Sequence, residues 1–253
     1  MCLPVKEGTL GLRTLPDLKP VSGQQDLPVI QKTGTSIGKI AWSNLGDFVA
    51  VGLSWETENK TEILRFYYDG RTLTAVDARD PIQIPSLAFS FAWHPNDKQL
   101  AIGTEGGTVI VYDVATGQTE SVVGHDGRVH TLSWSRDGRL LFTRGDDGSL
   151  RVWDYDPEQR NKLTLAITLR QDTGAIHAIG LDPDGDGVYT GGTNPKIFYW
   201  PKDRYSSDAI LERAEKMVDR NMTRAEWMRY AEKDKDRQQH YQRTFEDLPG
   251  LFQ

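Results

Sequence analysis

Short runs of alternating apolar and polar residues fill most of the chain, and turns rich in Asp-Gly pairs separate them. Residues 125–154 show the pattern most clearly. An alternating run at 129–134 is followed by a tight turn, a second run at 140–143, another Asp-Gly turn and a third run at 150–153. Alternation with a period of two between such turns predicts antiparallel strands joined as hairpins.

The same pattern recurs at 38–70 and 85–113 and, in a weaker form, at 174–201. Each copy has a large apolar residue near the end of its first run, at spacings of 51, 41 and 47 positions: Trp42, Trp93, Trp134 and Leu181. Each copy also has an aromatic residue in its third run, at spacings of 45, 41 and 47: Tyr67, Tyr112, Trp153 and Trp200. A period of roughly 40–45 residues with several strands per unit predicts the blades of a β-propeller.

Two dipeptides in the third copy, Gly124-His125 and Trp153-Asp154, resemble the pair that names the WD-repeat family. The resemblance implies a structural hydrogen-bond set of four side chains: His125, Thr143, Asp147 and Trp153. The set is physically reasonable, because a buried histidine needs polar partners and a carboxylate, a hydroxyl and an indole N–H can supply them. The second copy has Gly106 and Tyr112 at the aspartate and indole positions, and the first and fourth copies depart further.

We therefore predict an all-β fold of four WD40-type β-propeller blades, forming part of a larger propeller, with a short α-helical C-terminal tail. The predicted boundaries are an extended lead-in at 1–28, which could donate one strand, four WD-repeat blades at 29–201 and the helical tail at 202–253. The resembled family has about seven blades, and propellers range from roughly four to eight. Three alternatives stay open: another chain completes the propeller, the chain is a split or truncated product, or four blades close on themselves.

An open array of blades leaves an apolar face without a neighbour at each end. The first repeat carries four large apolar side chains that we expect to be exposed in that case: Trp42, Trp55, Phe66 and Tyr67. The tail is expected to fold back over the last blade. The N-terminal end is therefore where we expect a missing partner or a missing upstream segment.

After Trp200 the apolar positions change to a helical spacing, first at 206–219. Thr223 and Glu226 then form a capping box, and Met222 and Trp227 stand at the positions of a hydrophobic staple, so a second helix begins here. Two interpretations of the tail stay open. Its apolar residues either cover the last blade or bind a protein partner, and the candidate partner-binding residues are Met222, Trp227 and Tyr230.

The tail segments RNMTRAEWMRY and YQRTFEDLP also resemble the endings of bacterial WD-repeat proteins fused to STAND-type NTPase, caspase-like or kinase modules. Those endings contain a Leu-Thr-Arg-Glu-Glu-Trp motif and a later Tyr-Arg…Leu-Pro segment. Ala225 departs from the motif, and residues 232–240 are longer and more charged than the pattern. The resemblance implies the C-terminal part of a bacterial signalling or defence effector, with the acting module outside this chain.

Composition excludes several classes of function. The net charge is −6 and the pI is near 5.4, whereas nucleic-acid binders usually present a basic field. The chain has one cysteine, Cys2, and its first residues lack an apolar signal core. The sequence has no run of 18 apolar residues, so it predicts no transmembrane helix. We expect a cytoplasmic protein that binds neither nucleic acid nor a membrane and uses no cofactor.

Residues 182–187 begin like an EF-hand calcium loop, with Asp182, Asp184 and Asp186 at the first, third and fifth positions. The twelfth position holds Thr193 instead of glutamate, and the flanking residues have a strand pattern. The segment also aligns with the ordinary blade turns that contain Asp97 and Asp137. An acidic hairpin turn is therefore the favoured interpretation, and no metal is expected.

Other catalytic or metal sites receive little support. His130 and His177 occupy nearly the same place in successive repeats, but no cysteine or paired carboxylate accompanies them at ligand spacing. Ser133, His130 and Asp137 could form a nucleophilic set, yet the chain has no G-x-S-x-G elbow. Phosphate-binding glycine motifs are absent from the sequence as well. We predict no catalytic residue.

These observations favour a non-catalytic protein-binding scaffold, or a sensor or regulatory module, built on WD repeats. The expected partner is another protein or the upstream part of a larger polypeptide, and a homodimer could complete the propeller. The alternative is a propeller-based enzyme, a hydrolase or a metal-dependent one, with its site at the central channel. A third interpretation is a purely structural remnant of a larger array.

Overall fold

The computed structural model describes residues 2–4, 9–12, 27–28, 36–55, 58–76, 81–159, 162–170, 176–185, 187–192 and 197–206. These residues form antiparallel β-sheets and one 3₁₀ turn at Lys202–Arg204, so the predicted all-β fold is confirmed. The chain up to Tyr205 is one compact unit. Within the part described, no helix is long and apolar enough to cross a membrane. The predicted tail helices lie outside the described residues.

The lead-in forms a small sheet of its own. Strands β1 (Cys2–Pro4), β2 (Thr9–Leu12) and β3 (Leu27–Pro28) pair in the order β1-β2-β3. We expected an extended segment that donates one strand, and the structure instead pairs three short strands with each other. Proline is compatible with this sheet because Pro4 and Pro28 lie on its two edge strands, where a missing N–H is tolerated.

Each of the four repeats forms one antiparallel sheet. The first sheet contains β4 (Ser36–Trp42), β5 (Phe48–Trp55), β6 (Lys60–Tyr68) and β7 (Leu73–Ala75), and β8 (Ile82–Ile84) also pairs with β6. The second contains β9 (Ala88–Trp93), β10 (Gln99–Thr104), β11 (Thr108–Asp113) and β12 (Thr119–Val123). The third contains β13 (Val129–Trp134), β14 (Leu140–Gly145), β15 (Ser149–Tyr155) and β16 (Leu163–Arg170). The fourth contains β17 (Ile176–Leu181), β18 (Gly187–Gly192) and β19 (Phe198–Pro201).

The turn between β13 and β14 illustrates how the Asp-Gly pairs act. Asp137 Oδ1 accepts hydrogen bonds from the Ser135 hydroxyl at 2.6 Å and from the Arg139 backbone N–H at 3.0 Å. Gly138 has a φ of 73°, which disfavours side chains with a Cβ. A Cβ at this position would also lie 2.2 Å from Nε2 of His94, which packs here from the second sheet. Both the backbone conformation and the lack of space beside His94 therefore require glycine at position 138.

The first strands of successive repeats lie side by side, since β4 contacts β9, β9 contacts β13 and β13 contacts β17. Their tryptophans tie each sheet to the preceding one. Trp93 Nε1 donates to the Ala41 carbonyl at 3.1 Å, and Trp134 Nε1 donates to the Ala92 carbonyl at 3.1 Å. Leu181, at the same position of the fourth repeat, has no N–H to donate in this way.

Apolar side chains fill the space between consecutive sheets. The cluster between the first and second sheets includes Ile63, Leu100 and Ile102, and the cluster between the second and third includes Val111 and Leu141. All six residues of β10 are buried, because this strand has a neighbouring sheet on each face. Removal of this apolar surface from water is the main stabilising contribution to such a stack.

One position on the second strand lies very close to the following sheet in the first and second repeats. The equivalent residues of the four repeats are Gly52, Gly103, Arg144 and Gly191. They are separated by 51, 41 and 47 positions, as are the large apolar residues at the ends of the first strands. A Cβ at Gly52 would lie 2.7 Å from the Phe91 ring, and one at Gly103 would lie 2.7 Å from Val129. The third repeat therefore places an arginine where the first and second repeats leave no room for any side chain.

Candidate functional site

The polar set that the WD-repeat resemblance implies lies within the third sheet. Nδ1 of His125 is 3.0 Å from Asp147 Oδ1, and Nε2 of His125 is 2.8 Å from Thr143 Oγ1. The indole N–H of Trp153 donates to the same Thr143 hydroxyl at 2.8 Å. The structure thus brings all four residues together, and His125, Thr143 and Trp153 are buried.

The hydrogen bonds of this set can all be formed with the His125 imidazole in its neutral form. Burial lowers the pKa of His125 below its ordinary value, although the hydrogen bond to Asp147 opposes this shift. Nδ1–H then donates to the Asp147 carboxylate, and Nε2 accepts from the Thr143 hydroxyl. The Thr143 hydroxyl oxygen in turn accepts a hydrogen bond from the Trp153 N–H. Every donor in the set therefore has an acceptor.

Asp147 has further partners that the sequence analysis did not identify, and two of them are Ser149 and Arg151. The Ser149 backbone N–H and hydroxyl donate to Asp147 Oδ1 at 3.0 Å and 2.8 Å, and Arg151 Nη2 donates to Oδ2 at 3.2 Å. Burial opposes ionisation of Asp147, but the hydrogen bonds from Ser149 and His125 outweigh it and hold the pKa well below its usual range. The sequence signal was the serine two positions after the aspartate, the spacing of an Asx-turn.

The fourth repeat preserves part of the same arrangement. Trp200 Nε1 donates to Thr190 Oγ1 at 2.9 Å, and these two residues are ten positions apart, as are Thr143 and Trp153. We expected this repeat to lack the pattern more fully than the second, and that expectation was wrong.

Asp97, which we expected to be an ordinary turn residue, also forms hydrogen bonds to the neighbouring repeat. Its carboxylate accepts backbone N–H groups from the first repeat, from Asn44 at 2.7 Å and from Leu45 at 2.8 Å, and it accepts the Asn44 side-chain amide at 2.9 Å. The residue has a φ of 57°, in the left-handed region that aspartate tolerates better than most residues. Asp97 therefore links the turns of two adjacent sheets, which its place in the sequence does not reveal.

The nucleophilic set considered from the sequence is not assembled. His130 Nε2 is hydrogen-bonded to Asp146, while Asp137 bonds to Ser135 and to the Arg139 backbone. No hydrogen bond among the described contacts joins Ser133 to His130 or to Asp137. The hydrogen bond from His130 lowers the pKa of Asp146, which keeps that carboxyl ionised.

The acidic segment that resembles a calcium loop forms a turn between β17 and β18. The Asp182 backbone N–H donates to the Gly187 carbonyl at 3.0 Å, and Gly185 has a φ of 80°. Asp182 Oδ1 accepts the Asp184 backbone N–H at 3.0 Å, as an Asx-turn requires. Asp186 and Thr193 lie outside the described residues, as do the tail residues Met222, Trp227 and Tyr230, and the side chain of His177 is not described.

Exposed aromatic residues lie on the last repeat more than on the first. Trp55 and Phe66 are each only 5% exposed, although we expected an open array to expose them. They pack in an apolar cluster with Val51 and Leu73 on the first sheet. On the fourth sheet, Tyr189 and Tyr199 are 41% and 44% exposed, with ring centroids 4.8 Å apart, and the adjoining Ile197 is 76% exposed.

Known proteins share this architecture. The model of a family described as the IFT140 first beta-propeller matches residues 28–179. Human cilia- and flagella-associated protein 52 is 27% identical over 176 residues, which are 66% of this chain and 27% of that protein. Human serine-threonine kinase receptor-associated protein is 31% identical over 121 residues, 46% of this chain and 34% of that protein. Human WD repeat-containing protein 3 is 40% identical over 79 residues, 30% of this chain and 8% of that protein.

Solved structures give the same fold. A chain in the crystal structure of the mitotic checkpoint complex matches 79% of this chain and 59% of its own length, with a TM-score of 0.59 and 19% sequence identity. At that identity the likeness concerns the fold. This chain spans about a third or less of the relatives named above. Because the matched family covers more than half of the chain and the four sheets follow the four sequence repeats, the chain belongs to the WD-repeat β-propeller family.

Proposed function

We propose that this chain is a protein-binding scaffold or regulatory module and that the exposed face of its fourth sheet is a docking surface. The observation that carries the proposal is the group formed by Tyr189, Ile197 and Tyr199, hereafter the fourth-sheet patch. Tyrosines are enriched in protein interfaces, because the ring buries a large apolar area while the hydroxyl tolerates water.

Two further features support a binding role. The described hydrogen bonds among His125, Thr143, Asp147 and Trp153 join strands and turns of the third repeat, as expected of a rigid scaffold. The relatives include one named as a receptor-associated protein, and the structural match comes from a multi-subunit complex. A second copy of this chain is the simplest partner for the fourth-sheet patch, since it brings the same apolar surface to a twofold contact.

Sedimentation velocity of the full chain over a range of concentrations tests this proposal. We expect concentration-dependent association of the natural chain, and the double substitution Tyr189→Ser with Tyr199→Ser is expected to weaken it at least tenfold. Tyr67→Ser is the matched control, because Tyr67 is 44% exposed on the first sheet. Association that survives the double substitution, or that Tyr67→Ser abolishes, would contradict the assignment of the docking surface to the fourth sheet.

A role in a bacterial effector and a cytoplasmic location are further proposals for this chain. The role as the C-terminal part of a bacterial signalling or defence effector depends on the tail sequence around Trp227, and the relatives named above are eukaryotic. Sequencing the genomic region upstream of the coding segment would test it, since a fused NTPase, caspase-like or kinase module is expected there. The cytoplasmic location can be tested by microscopy of the tagged chain.

A further inference from the structure

A cavity of about 530 Å³ lies between the second and third sheets, away from the fourth-sheet patch. The side chains that define its chemistry come from both sheets: Gln99, Asp113 and Glu120 from the second, and Tyr155 and Lys162 from the third or its connecting turn. The volume is within the range of small-ligand sites. The neighbouring sheets thus enclose a recess that their apolar packing does not fill.

Gln99 contributes a buried acceptor without a donor. The side-chain amide is oriented by its Nε2, which donates to Asp113 Oδ2 at 3.0 Å, because the opposite orientation would set an oxygen against the carboxylate. Oε1 is then buried with no hydrogen-bond partner among the described residues, and Gln99 is only 7% exposed. Leaving such an acceptor unsatisfied is costly, so its presence in a cavity wall indicates a place for a donor.

The carboxylates give the cavity a negative field. Burial opposes ionisation of Asp113, but hydrogen bonds from the Thr116 backbone and the Gln99 amide outweigh it and lower its pKa, so it is charged at neutral pH. Burial, Asp113 and Glu120 raise the pKa of Tyr155 to about 12, so its hydroxyl keeps its proton. That hydroxyl makes no hydrogen bond to any described residue.

Lys162 is the cationic side chain in the cavity wall. No ion pair joins Lys162 to Asp113 or to Glu120 among the described contacts. Glu120 instead accepts the backbone N–H groups of Lys162 and Leu163 at 3.1 Å and 2.9 Å, which fixes the carboxylate across the two sheets. An entering group with several N–H donors and a positive charge would find acceptors already held in position.

The cavity opens beside β12, which is an edge strand of the second sheet. An edge strand presents unpaired backbone N–H and C=O groups, to which an extended peptide can add as a further strand. A guanidinium has five N–H donors in a planar array and is weakly hydrated, so it suits a recess with several acceptors and a buried aromatic ring.

We propose that this cavity binds an arginine side chain presented by an extended peptide of a protein partner that pairs along β12. The guanidinium would donate to Gln99 Oε1 and to the Tyr155 oxygen while it lies in the field of Asp113. This site is separate from the fourth-sheet patch, and its test does not depend on association of the chain.

Titration of the ¹⁵N-labelled full chain with a short peptide, one central arginine flanked by valine and threonine, tests this proposal. We expect saturable shifts of the Gln99 side-chain amide signals, and we expect the citrulline version of the peptide, which has the same shape without the charge, to bind at least tenfold more weakly. Spermidine is the probe for a free polyamine. Spermidine binding as tight as that of the arginine peptide would overturn the assignment to a peptide partner.

Tyr155→Phe removes the hydroxyl and keeps the ring, which packs against Trp134 at 5.0 Å between centroids. We expect this variant to weaken binding roughly three- to tenfold, the loss of about one hydrogen bond. Tyr112→Phe removes a hydroxyl from β11 outside the cavity wall and is expected to leave binding unchanged. No binding of the arginine peptide, equal binding of the citrulline peptide, or equal effects of the two variants would overturn the proposal.

Discussion

At the residue scale, several polar contacts of the third sheet converge on the Asp147 carboxylate. It accepts hydrogen bonds from His125, Ser149 and Arg151, while only 10% of its side chain is exposed. Its removal leaves the buried Nδ1–H of His125 with only the Ser149 hydroxyl, at a long 3.4 Å, as an acceptor. Buried donors that lose their partner cost more than an average hydrogen bond gains, so this residue should matter more for stability than other turn aspartates.

We predict that Asp147→Ala lowers the free energy of unfolding by about 2–3 kcal/mol. Asp137→Ala is the matched control, since the Asp137 carboxylate bonds only within its own turn, and we expect a loss of about 0.5 kcal/mol. Asp97→Ala should fall between them, because it breaks contacts that join two repeats. Urea denaturation of the three variants measures these differences, and equal losses for Asp147→Ala and Asp137→Ala would refute the ranking.

Stability should also fall on acidification in two steps. Burial lowers the pKa of His125 from 6.5 in the native state, so below pH 6.5 the unfolded chain binds a proton that the native chain rejects. Asp147 has a native pKa below 3.8, so stability is further lost as the pH falls below that value. Above pH 6.5 neither group contributes a pH dependence.

Unfolding midpoints of the natural chain and of Asp147→Asn between pH 3 and pH 8 test this dependence. The asparagine variant cannot ionise at this position, so we expect its second, more acidic step to be smaller than that of the natural chain, because other aspartates with lowered pKa values remain. A natural chain whose unfolding midpoint does not change between pH 8 and pH 5 would contradict the account of His125.

At the scale of elements, Arg144 is the main departure from the repeat pattern. It occupies the position of Gly52 and Gly103 and is completely buried, and within the part of the chain that the structure describes its guanidinium nitrogens have no hydrogen-bond partner. Burial lowers its pKa to about 10, which still leaves it charged at neutral pH. A buried cation without a hydrogen-bonded partner is destabilising, and an apolar side chain of similar length removes that cost.

We therefore predict that Arg144→Met raises the free energy of unfolding by about 1–3 kcal/mol. Arg151→Met is the control on the same sheet. Arg151 has an ion pair with Asp147, so its replacement is expected not to increase stability. Thermal and urea unfolding measure both variants, and a loss of stability in Arg144→Met would show that the guanidinium has a compensating partner.

Strands and hairpins could be predicted from the sequence where a local pattern of residues determines them. Asp-Gly turns and period-two alternation correctly indicated the four sheets, and the spacing of the first-strand tryptophans indicated their repeat. Contacts between sheets were harder to predict, because Asp97 and Asn44 are 53 positions apart and no local pattern links them. The lead-in sheet was missed since its strands are only two to four residues long.

At the scale of the whole molecule, only part of the expected exposure is seen on the first sheet, where Tyr67 is 44% exposed but Trp55 and Phe66 are buried. On the last sheet, two paired aromatic residues are exposed together, Tyr189 at 41% and Tyr199 at 44%. The sequence could not predict this difference, because exposure of an end face depends on which segments pack against it. The chain's association is accordingly expected at its fourth sheet.

Hydrogen exchange of the full chain at low and high protein concentration tests this central claim most directly. We predict that backbone amides of β18 and β19 become more protected as concentration rises, while those of β5 and β6 in the first sheet stay unchanged. Protection that increases on the first sheet instead, or no change on any strand up to the solubility limit, would contradict the account.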